Sequence, residues 1–168
     1  LAAHFAPGPH WALGSAEANR IDVVFRAVLA ELFANRQEFT VIDSRTLRAG
    51  RVRRGALEHG GMRWRAVVLP GVDTMPAEAW DRVKEFSKSG GLVLSVGAAP
   101  ASDGRRFPEP RVVALAQQLP EGSLLPAGQE MLLLDHLATV GSPDLVCDDV
   151  AAPLRVSRRR IQDKEVFL

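Results

Sequence analysis

The sequence predicts an α/β fold with three layers, a mostly parallel open sheet and a β-hairpin at the C-terminal end. Two short apolar runs rich in β-branched residues, at 67–69 and 92–96, have the composition of strands buried on both faces. The segment between them carries apolar residues at helical spacing and ends at Gly90 and Gly91. A strand–helix–strand unit of this length predicts parallel strands joined by a right-handed crossover.

The helix predicted between these strands carries a start signal. Asp73 or Thr74 can cap it, and Pro76 suits the first turn, where no backbone donor is needed. Trp80 and Val83 belong to its apolar stripe. The helix is therefore expected to bury one face against the sheet.

The rest of the chain continues the alternation of strands and helices. Further strands are predicted at 1–6, 39–43 and 145–147, further helices at 15–33, 111–119 and 130–139, a small hairpin or ribbon within 48–62, and a closing β-hairpin at 154–168. Residues 46–47 are expected to begin a loop, and residues 120–128 to form a connection. We therefore divide the chain into an α/β domain, residues 1–150, and a hairpin, residues 151–168, that begins a following β module.

Composition and charge bear on several classes of function. Apolar residues make up 46% of the chain, which is enough for a packed core and argues against disorder. The formal net charge of +1 gives no general attraction to nucleic acid or to an anionic membrane, so neither is predicted as a partner. Cys147 is the only cysteine, so neither an intrachain disulfide nor a cysteine-based metal site is expected. The sequence contains no signal peptide and no transmembrane run, and its compartment stays open.

Open α/β sheets keep their reactive groups outside the carboxyl ends of the strands. Four loops meet this condition, at residues 7–15, 43–46, 70–76 and 97–110. The turn after the strand at 92–96 matters most, because a sharp strand-to-helix turn there holds the nucleophile of many hydrolases. This chain has Gly97 and Ala98 at that turn, and alanine offers no attacking group. We therefore predict no catalytic residue in this chain.

Six residues of these loops are candidates for ligand binding. They are His10, Trp11, Gly14, Asp43, Asp73 and Gly97. A loop histidine that packs near Trp11 is the simpler interpretation of His10, and Asp73 more commonly caps a helix or closes a turn. The four histidines have no metal-ligand spacing, so no metal site and no cofactor are predicted.

Two further patterns concern anions. Residues 8–14 contain two glycines ahead of a helix and could cradle an anion, but they lack a G-x-G-x-x-G or G-K-[ST] motif, and Pro9 removes one donor. Basic clusters at 51–54 and 155–160 fit a solvated or interdomain face. Because no aromatic residues are interleaved with them, nucleic-acid binding is not predicted.

Three segments of the chain together resemble a known domain. They read FTVID with TL at 39–47, RAVVLPGVDTMP with GGLV at 65–76 and 90–93, and LRVSRRR at 154–160. In this order they resemble the glutamine-amidotransferase-like (class I) accessory domain of large bacterial glycoside hydrolases related to the α-L-rhamnosidase family, glycoside hydrolase family 106. The resemblance covers most of the chain, and its motifs are mostly structural.

This resemblance implies a flavodoxin-like or amidotransferase-like sheet that follows a catalytic barrel and leads into β-sandwich modules. It implies that the parent protein hydrolyses glycosidic bonds with carboxylates in that barrel, and that this domain is a scaffold without a nucleophile. The chain starts at Leu1 without a methionine and stops in a predicted strand, so we expect a piece of a longer bacterial polypeptide. Its expected partners are the other domains of that polypeptide, with a second copy or a carbohydrate as further options.

Three functional hypotheses remain open from the sequence. The first is a noncatalytic structural or interaction domain of a glycoside hydrolase. The second is a binding module for a nucleotide, flavin or sugar that uses the loops at the carboxyl ends of the strands. The third is a free-standing hydrolase of the amidotransferase-like class, which requires a nucleophile that the sequence does not offer.

Overall fold

The computed structural model describes residues 2–4, 16–141, 158–161 and 164–167. The strands are β1 (Ala2–His4), β2 (Thr40–Ile42), β3 (Arg51–Arg53), β4 (Ala56–His59), β5 (Met62–Trp64), β6 (Ala66–Pro70), β7 (Leu92–Val96), β8 (Leu124–Leu125), β9 (Arg158–Ile161) and β10 (Lys164–Phe167). The helices are α1 (Ala16–Ala34), α2 (Ser44–Ala49), α3 (Ala77–Lys88), α4 (Pro110–Ala116) and α5 (Leu132–Ala138).

Five parallel strands form the main sheet in the order β2-β1-β6-β7-β8. The two central strands, β6 and β7, pair along their whole length, with Val68 opposite Leu94. The predicted α/β class and the parallel pairing of these strands are confirmed. β2 pairs with one side of β1, and β6 pairs with the other side. The direction of strand addition therefore reverses between β1 and β6, because β6, β7 and β8 extend the sheet on the side of β1 away from β2.

Apolar side chains cover both faces of the sheet because β6 is apolar at successive positions. Val67 and Leu69 belong to one core, and Ala66 and Val68 to the other. The first core also contains buried residues of α2, α3 and α4, namely Leu47, Ala79, Trp80, Val83, Phe86, Val112 and Leu115. The second contains buried residues of α1 and α5, namely Val24, Val28, Leu32, Leu133 and Leu137. The helices therefore form outer layers on both sides of the sheet, as predicted.

The helix α3 ends as the sequence predicts. Gly90 has a left-handed φ of 93°, its N–H donates to the Ser87 carbonyl, and the Gly91 N–H donates to the Phe86 carbonyl at 3.0 Å. This pair of bonds is the Schellman arrangement that turns a chain out of a helix. The start of α3 differs from the prediction: its N-cap is Pro76, without a side-chain cap bond, so neither Asp73 nor Thr74 caps it.

A three-stranded antiparallel sheet, β3-β4-β5, lies between α2 and β6 in the chain, and we call it the ribbon. Its inner row pairs Val52 with Leu57 and Leu57 with Trp64, and all three side chains pack in the first core. A Cβ on Gly55 would lie 3.2 Å from the Gly90 carbonyl oxygen, so the β3–β4 turn packs against the start of β7. The ribbon therefore lies at the amino ends of the parallel strands. The sequence predicted a small hairpin or ribbon within 48–62, and the structure has three strands there that extend to Trp64.

Two segments that the sequence predicted as connections form regular structure instead. Residues 46–47 lie inside α2 rather than in a loop, and residues 120–128 contain the short strand β8. The closing hairpin is confirmed as the antiparallel pair of β9 and β10. The strand predicted at 145–147 lies outside the described residues. Among the described helices, none combines the length and the apolar character needed to span a bilayer.

Candidate functional site

The carboxyl edge of the main sheet is built from the ends of β6, β7 and β8. The Gly71 N–H donates to the Val96 carbonyl at 2.8 Å, and the Gly97 N–H donates to the Leu125 carbonyl at 2.8 Å. These bonds hold the three strand ends in line. The edge is therefore a fixed platform on which the following loops begin.

Gly71 allows α1 to approach this platform closely. Its φ of 64° is left-handed, and a Cβ at this position would lie 3.3 Å from the Ile21 Cα and 3.3 Å from the Val24 Cβ. A residue with a side chain would meet both a strained backbone and the helix. The end of β6 is consequently covered by α1 rather than open to a ligand.

The loops that follow β6 and β7 are bonded to each other. The Asp73 carbonyl accepts from the N–H groups of Ala101 (2.9 Å) and Ser102 (3.1 Å), and the Met75 N–H donates to the Ser102 carbonyl at 2.9 Å. Thr74 and Ser102 form a parallel bridge. The two loops thus extend the parallel pairing of β6 and β7 beyond the sheet. Backbone atoms fill the space between the loops at this point.

Asp73 is the one predicted site residue that this loop pairing buries. The residue is 7% exposed, between the buried residues Val72 and Thr74. The sequence placed Asp73 at the carboxyl edge correctly. It did not predict the burial, because the covering loop returns from a distant part of the chain.

The turn after β7 lacks the parts of a nucleophilic site. Ser95 is fully buried, and its hydroxyl donates to the Ala98 carbonyl oxygen at 2.7 Å. This bond fixes the turn and occupies the nearest hydroxyl. No helix follows directly, since α4 begins only at Pro110. Gly97 lies at the platform but contributes no side chain.

Asp43 lies at the end of β2, where the sequence placed it, and it caps α2. Its carboxylate accepts from the Thr46 N–H at 2.8 Å and from the Thr46 hydroxyl at 3.0 Å, and Arg45 lies 3.7 Å away. These contacts, the backbone bond first, lower the pKa of Asp43 below its ordinary value. The carboxylate is exposed, but its Oδ1 atom is already engaged by the helix.

Asp103 plays a similar local part in the 97–110 loop. Its carboxylate accepts from the N–H groups of Arg105 (2.8 Å) and Arg106 (3.0 Å). These two bonds lower the pKa of the Asp103 carboxyl. The residue closes a turn and is half-exposed.

The remaining predicted site residues, His10, Trp11 and Gly14, lie outside the described residues. The structure therefore brings Asp73 and Gly97 to one platform and leaves Asp43 at the end of β2 as a helix cap. Within the described part of the chain, no group of three or more histidine, cysteine, aspartate or glutamate side chains is arranged to hold a metal ion.

A cavity of about 420 Å³ lies on the ribbon rather than at the carboxyl edge. It is lined by Ala49, Arg51, Glu58, His59, Gly60, Gly61, Met62 and Arg63. The sequence predicted a solvated or interdomain face for the basic cluster at 51–54, but it did not predict a cavity there. The three arginines within 51–54 are the sequence feature that could have pointed to this cavity.

Comparisons of the chain with protein-family models, with curated proteins and with solved structures gave no match.

Proposed function

We propose that this chain is a noncatalytic structural and interaction domain of a large carbohydrate-active glycoside hydrolase, with the flavodoxin-like or amidotransferase-like form of the α/β fold. The strand order supports that form: numbered within the main sheet, it reads 2-1-3-4-5, which is the flavodoxin-like order. The parent protein hydrolyses glycosidic bonds in a separate barrel. The proposal of a glycoside hydrolase parent rests on the resemblance of the three sequence segments.

The observation that carries the noncatalytic part is the turn after β7. A nucleophile elbow needs a reactive side chain followed at once by a helix, whose N–H groups stabilise developing negative charge. Here Ala98 stands at the turn, the Ser95 hydroxyl is buried and bonded, and α4 begins at Pro110. A reactive side chain and a directly following helix are both missing among the described residues of this turn.

The first test is an activity measurement on the purified chain. We expect no release of product above buffer from glutamine, from p-nitrophenyl acetate or from p-nitrophenyl α-L-rhamnoside. An Ala98→Cys variant supplies the thiol that amidotransferases use, and we expect it to remain without glutaminase activity because no helix N-terminus follows it. Turnover by the natural chain, or a gain of glutaminase activity in the variant, would contradict the proposal.

The parent assignment has its own test in the reading frame that encodes this chain. We expect that frame to encode a barrel with a pair of carboxylates at the spacing of a glycosidase. The proposed partners are the other domains of that polypeptide. A frame without a barrel would overturn the glycoside hydrolase assignment and leave the noncatalytic assignment in place.

A second candidate function, binding of a nucleotide, flavin or sugar, is favoured by one observation. The direction of strand addition reverses between β1 and β6, and open α/β sheets bind ligands at such points. A rise in melting temperature with FMN or AMP that is lost in Gly14→Asp would support nucleotide or flavin binding. Rhamnose that changes tryptophan fluorescence in the natural chain, but not in Trp11→Ala, would support sugar binding. No response in either measurement would exclude this candidate.

A further inference from the structure

The segment from α2 to the start of β6 concentrates the positive charge of the chain. Residues 44–65 contain seven arginines and a single acidic residue, Glu58, whereas the whole chain has a net charge of +1. The arginines are Arg45, Arg48, Arg51, Arg53, Arg54, Arg63 and Arg65, and all seven are exposed. The remainder of the molecule is therefore net acidic, and the charge of the ribbon is local.

Strand alternation explains why three of these arginines, Arg51, Arg53 and Arg63, share a surface. Val52, Leu57 and Trp64 point into the first core, so their neighbours along each strand point away from it. In that outer row Arg51 pairs with Glu58, and Glu58 pairs with Arg63. We call the outward side of the ribbon, with Arg51, Arg53, Glu58 and Arg63, the arginine face.

Most of these guanidinium groups have no acidic partner within the described part of the chain. Two of the seven form ion pairs there: Arg63 lies 3.3 Å from Glu58, and Arg45 lies 3.7 Å from Asp43. Arg48, Arg51, Arg53, Arg54 and Arg65 form none among the described residues. These positive charges repel one another. Binding of a negatively charged surface to them is therefore electrostatically favoured.

The cavity on the ribbon supplies a place for an acidic side chain. Arg51 and Arg63 of the outer row line this cavity together with Glu58, and the exposed His59 lies at it as well. Guanidinium groups bind carboxylates through two parallel hydrogen bonds, which gives the contact a defined geometry. Glu58 lies between the two arginines and leaves part of their donor capacity free, since a guanidinium has five N–H groups.

The same observations favour an acidic protein surface over nucleic acid. Glu58 interrupts the arginine row at its centre and would repel a continuous phosphate backbone. The ribbon exposes no Trp, Tyr or Phe side chain for base stacking, because Trp64, its only residue of these types, is 4% exposed.

From these contacts we infer that the arginine face is the docking surface for an acidic protein surface, with a partner carboxylate seated in the cavity between Arg51 and Arg63. The inference rests on the proposed function, because it names the surface and the chemistry through which an interaction domain meets its neighbour. It places that contact at the amino ends of the parallel strands, away from the loops where such folds bind small ligands.

The test uses the whole chain and a fluorescein-labelled octaglutamate peptide as the probe. Fluorescence anisotropy measures affinity at low and at high salt, and NMR follows the backbone and arginine Nε signals. We expect binding that weakens with salt, with shifts confined to the ribbon. The variant R51E/R53E/R63E should lower the affinity by about tenfold or more. The control variant R20E/R105E/R106E changes the net charge equally at exposed positions elsewhere, and it should bind almost as well as the natural chain.

Each alternative result has a defined meaning. Absence of binding, shifts outside the ribbon, or equal loss in both variants would overturn the inference. Tighter ribbon-dependent binding of a short DNA duplex than of the peptide would assign the surface to nucleic acid instead. These results leave the proposed function intact, whereas hydrolytic activity in the assays above would overturn that function without affecting the peptide measurement.

Discussion

At the residue scale, Asp43 illustrates how local structure uses a polar side chain at a strand end. The short helix α2 has only six residues, and its first N–H groups need an acceptor. Asp43 supplies it through Thr46, and in doing so the carboxylate becomes part of the helix start. Its position at the carboxyl edge of β2 therefore has a structural explanation that requires no ligand.

This explanation predicts the effect of substitutions at Asp43. Asp43→Ala should lower the free energy of unfolding by about 1 kcal/mol, because the capping bond is lost. Asp43→Asn retains an acceptor for the Thr46 N–H and should cost less. Urea unfolding near neutral pH measures both differences. Equal stability of the alanine variant and the natural chain would contradict the capping role.

The lowered pKa of Asp43 also predicts a pH dependence. The folded-state pKa lies below the ordinary value of 3.8, so the charged carboxylate stabilises the fold above that value. This contribution disappears as the pH falls through the lower, folded-state pKa. The stability difference between the natural chain and Asp43→Asn should therefore shrink as the pH falls below 3.8. A difference that stays constant over that range would show that the charge of Asp43 does not contribute.

The candidate site shows what single residues reveal before a structure is known. The sequence placed Asp43, Asp73 and Gly97 at strand ends, and the absence of a nucleophile at Ala98 was visible directly. The pairing of the two loops was not visible, because it is made by backbone atoms at Asp73 and Ser102 that carry no side-chain signal. Residue types predict chemistry at a strand end, but they do not predict which loop covers it.

At the element scale, the ribbon depends on its inner row for attachment to the domain. Leu57 is fully buried at the centre of that row, between Val52 and Trp64. Its side chain also fills the space above Gly50, where a Cβ would lie 3.1 Å from the Leu57 Cγ. The arginine face therefore keeps its position because Leu57 is anchored in the first core.

Truncation of this anchor gives the prediction at this scale. Leu57→Ala removes a buried side chain and should lower the free energy of unfolding by about 2–5 kcal/mol. Met62→Ala, at a 40% exposed position of the same ribbon, is the matched control and should change it by about 0.5 kcal/mol or less. Chemical denaturation measures both values. Similar small effects of the two substitutions would show that the ribbon is not part of the cooperative core.

Element length decided which elements could be predicted. The crossover helix α3 was predicted because its twelve residues repeat an apolar stripe and end in a glycine pair. By contrast, α2 has six residues and β8 has two, and neither length can display a period. β8 exists because the sheet edge offers partners: the Ser95 N–H donates to the Ser123 carbonyl, and the Gly97 N–H donates to the Leu125 carbonyl. Such an element depends on tertiary contacts rather than on its own sequence.

At the scale of the whole molecule, stability should be distributed according to position in the main sheet. Every residue of β6 is buried, β6 is paired on both sides, and helices cover both of its faces. The edge strands β2 and β8 are each paired on one side only within this sheet. Backbone amides at the centre therefore exchange only when most of the domain opens, whereas edge amides can exchange through local opening.

Hydrogen exchange followed by mass spectrometry tests this distribution. Peptides covering β6 and β7 should exchange slowest and approach the free energy of global unfolding, and peptides covering β8 should exchange faster. The ribbon should be intermediate, since Leu57 joins it to the first core while its arginine face is solvated. In Leu57→Ala the exchange of the ribbon should accelerate more than that of β7, because the ribbon loses its anchor and the sheet keeps its pairing. Equal acceleration of the ribbon and β7 in this variant would mean that ribbon and sheet open as one cooperative unit. In the natural chain, protection of β8 equal to that of β6 would contradict the expectation that β6 and β7 are the most stable part of the fold.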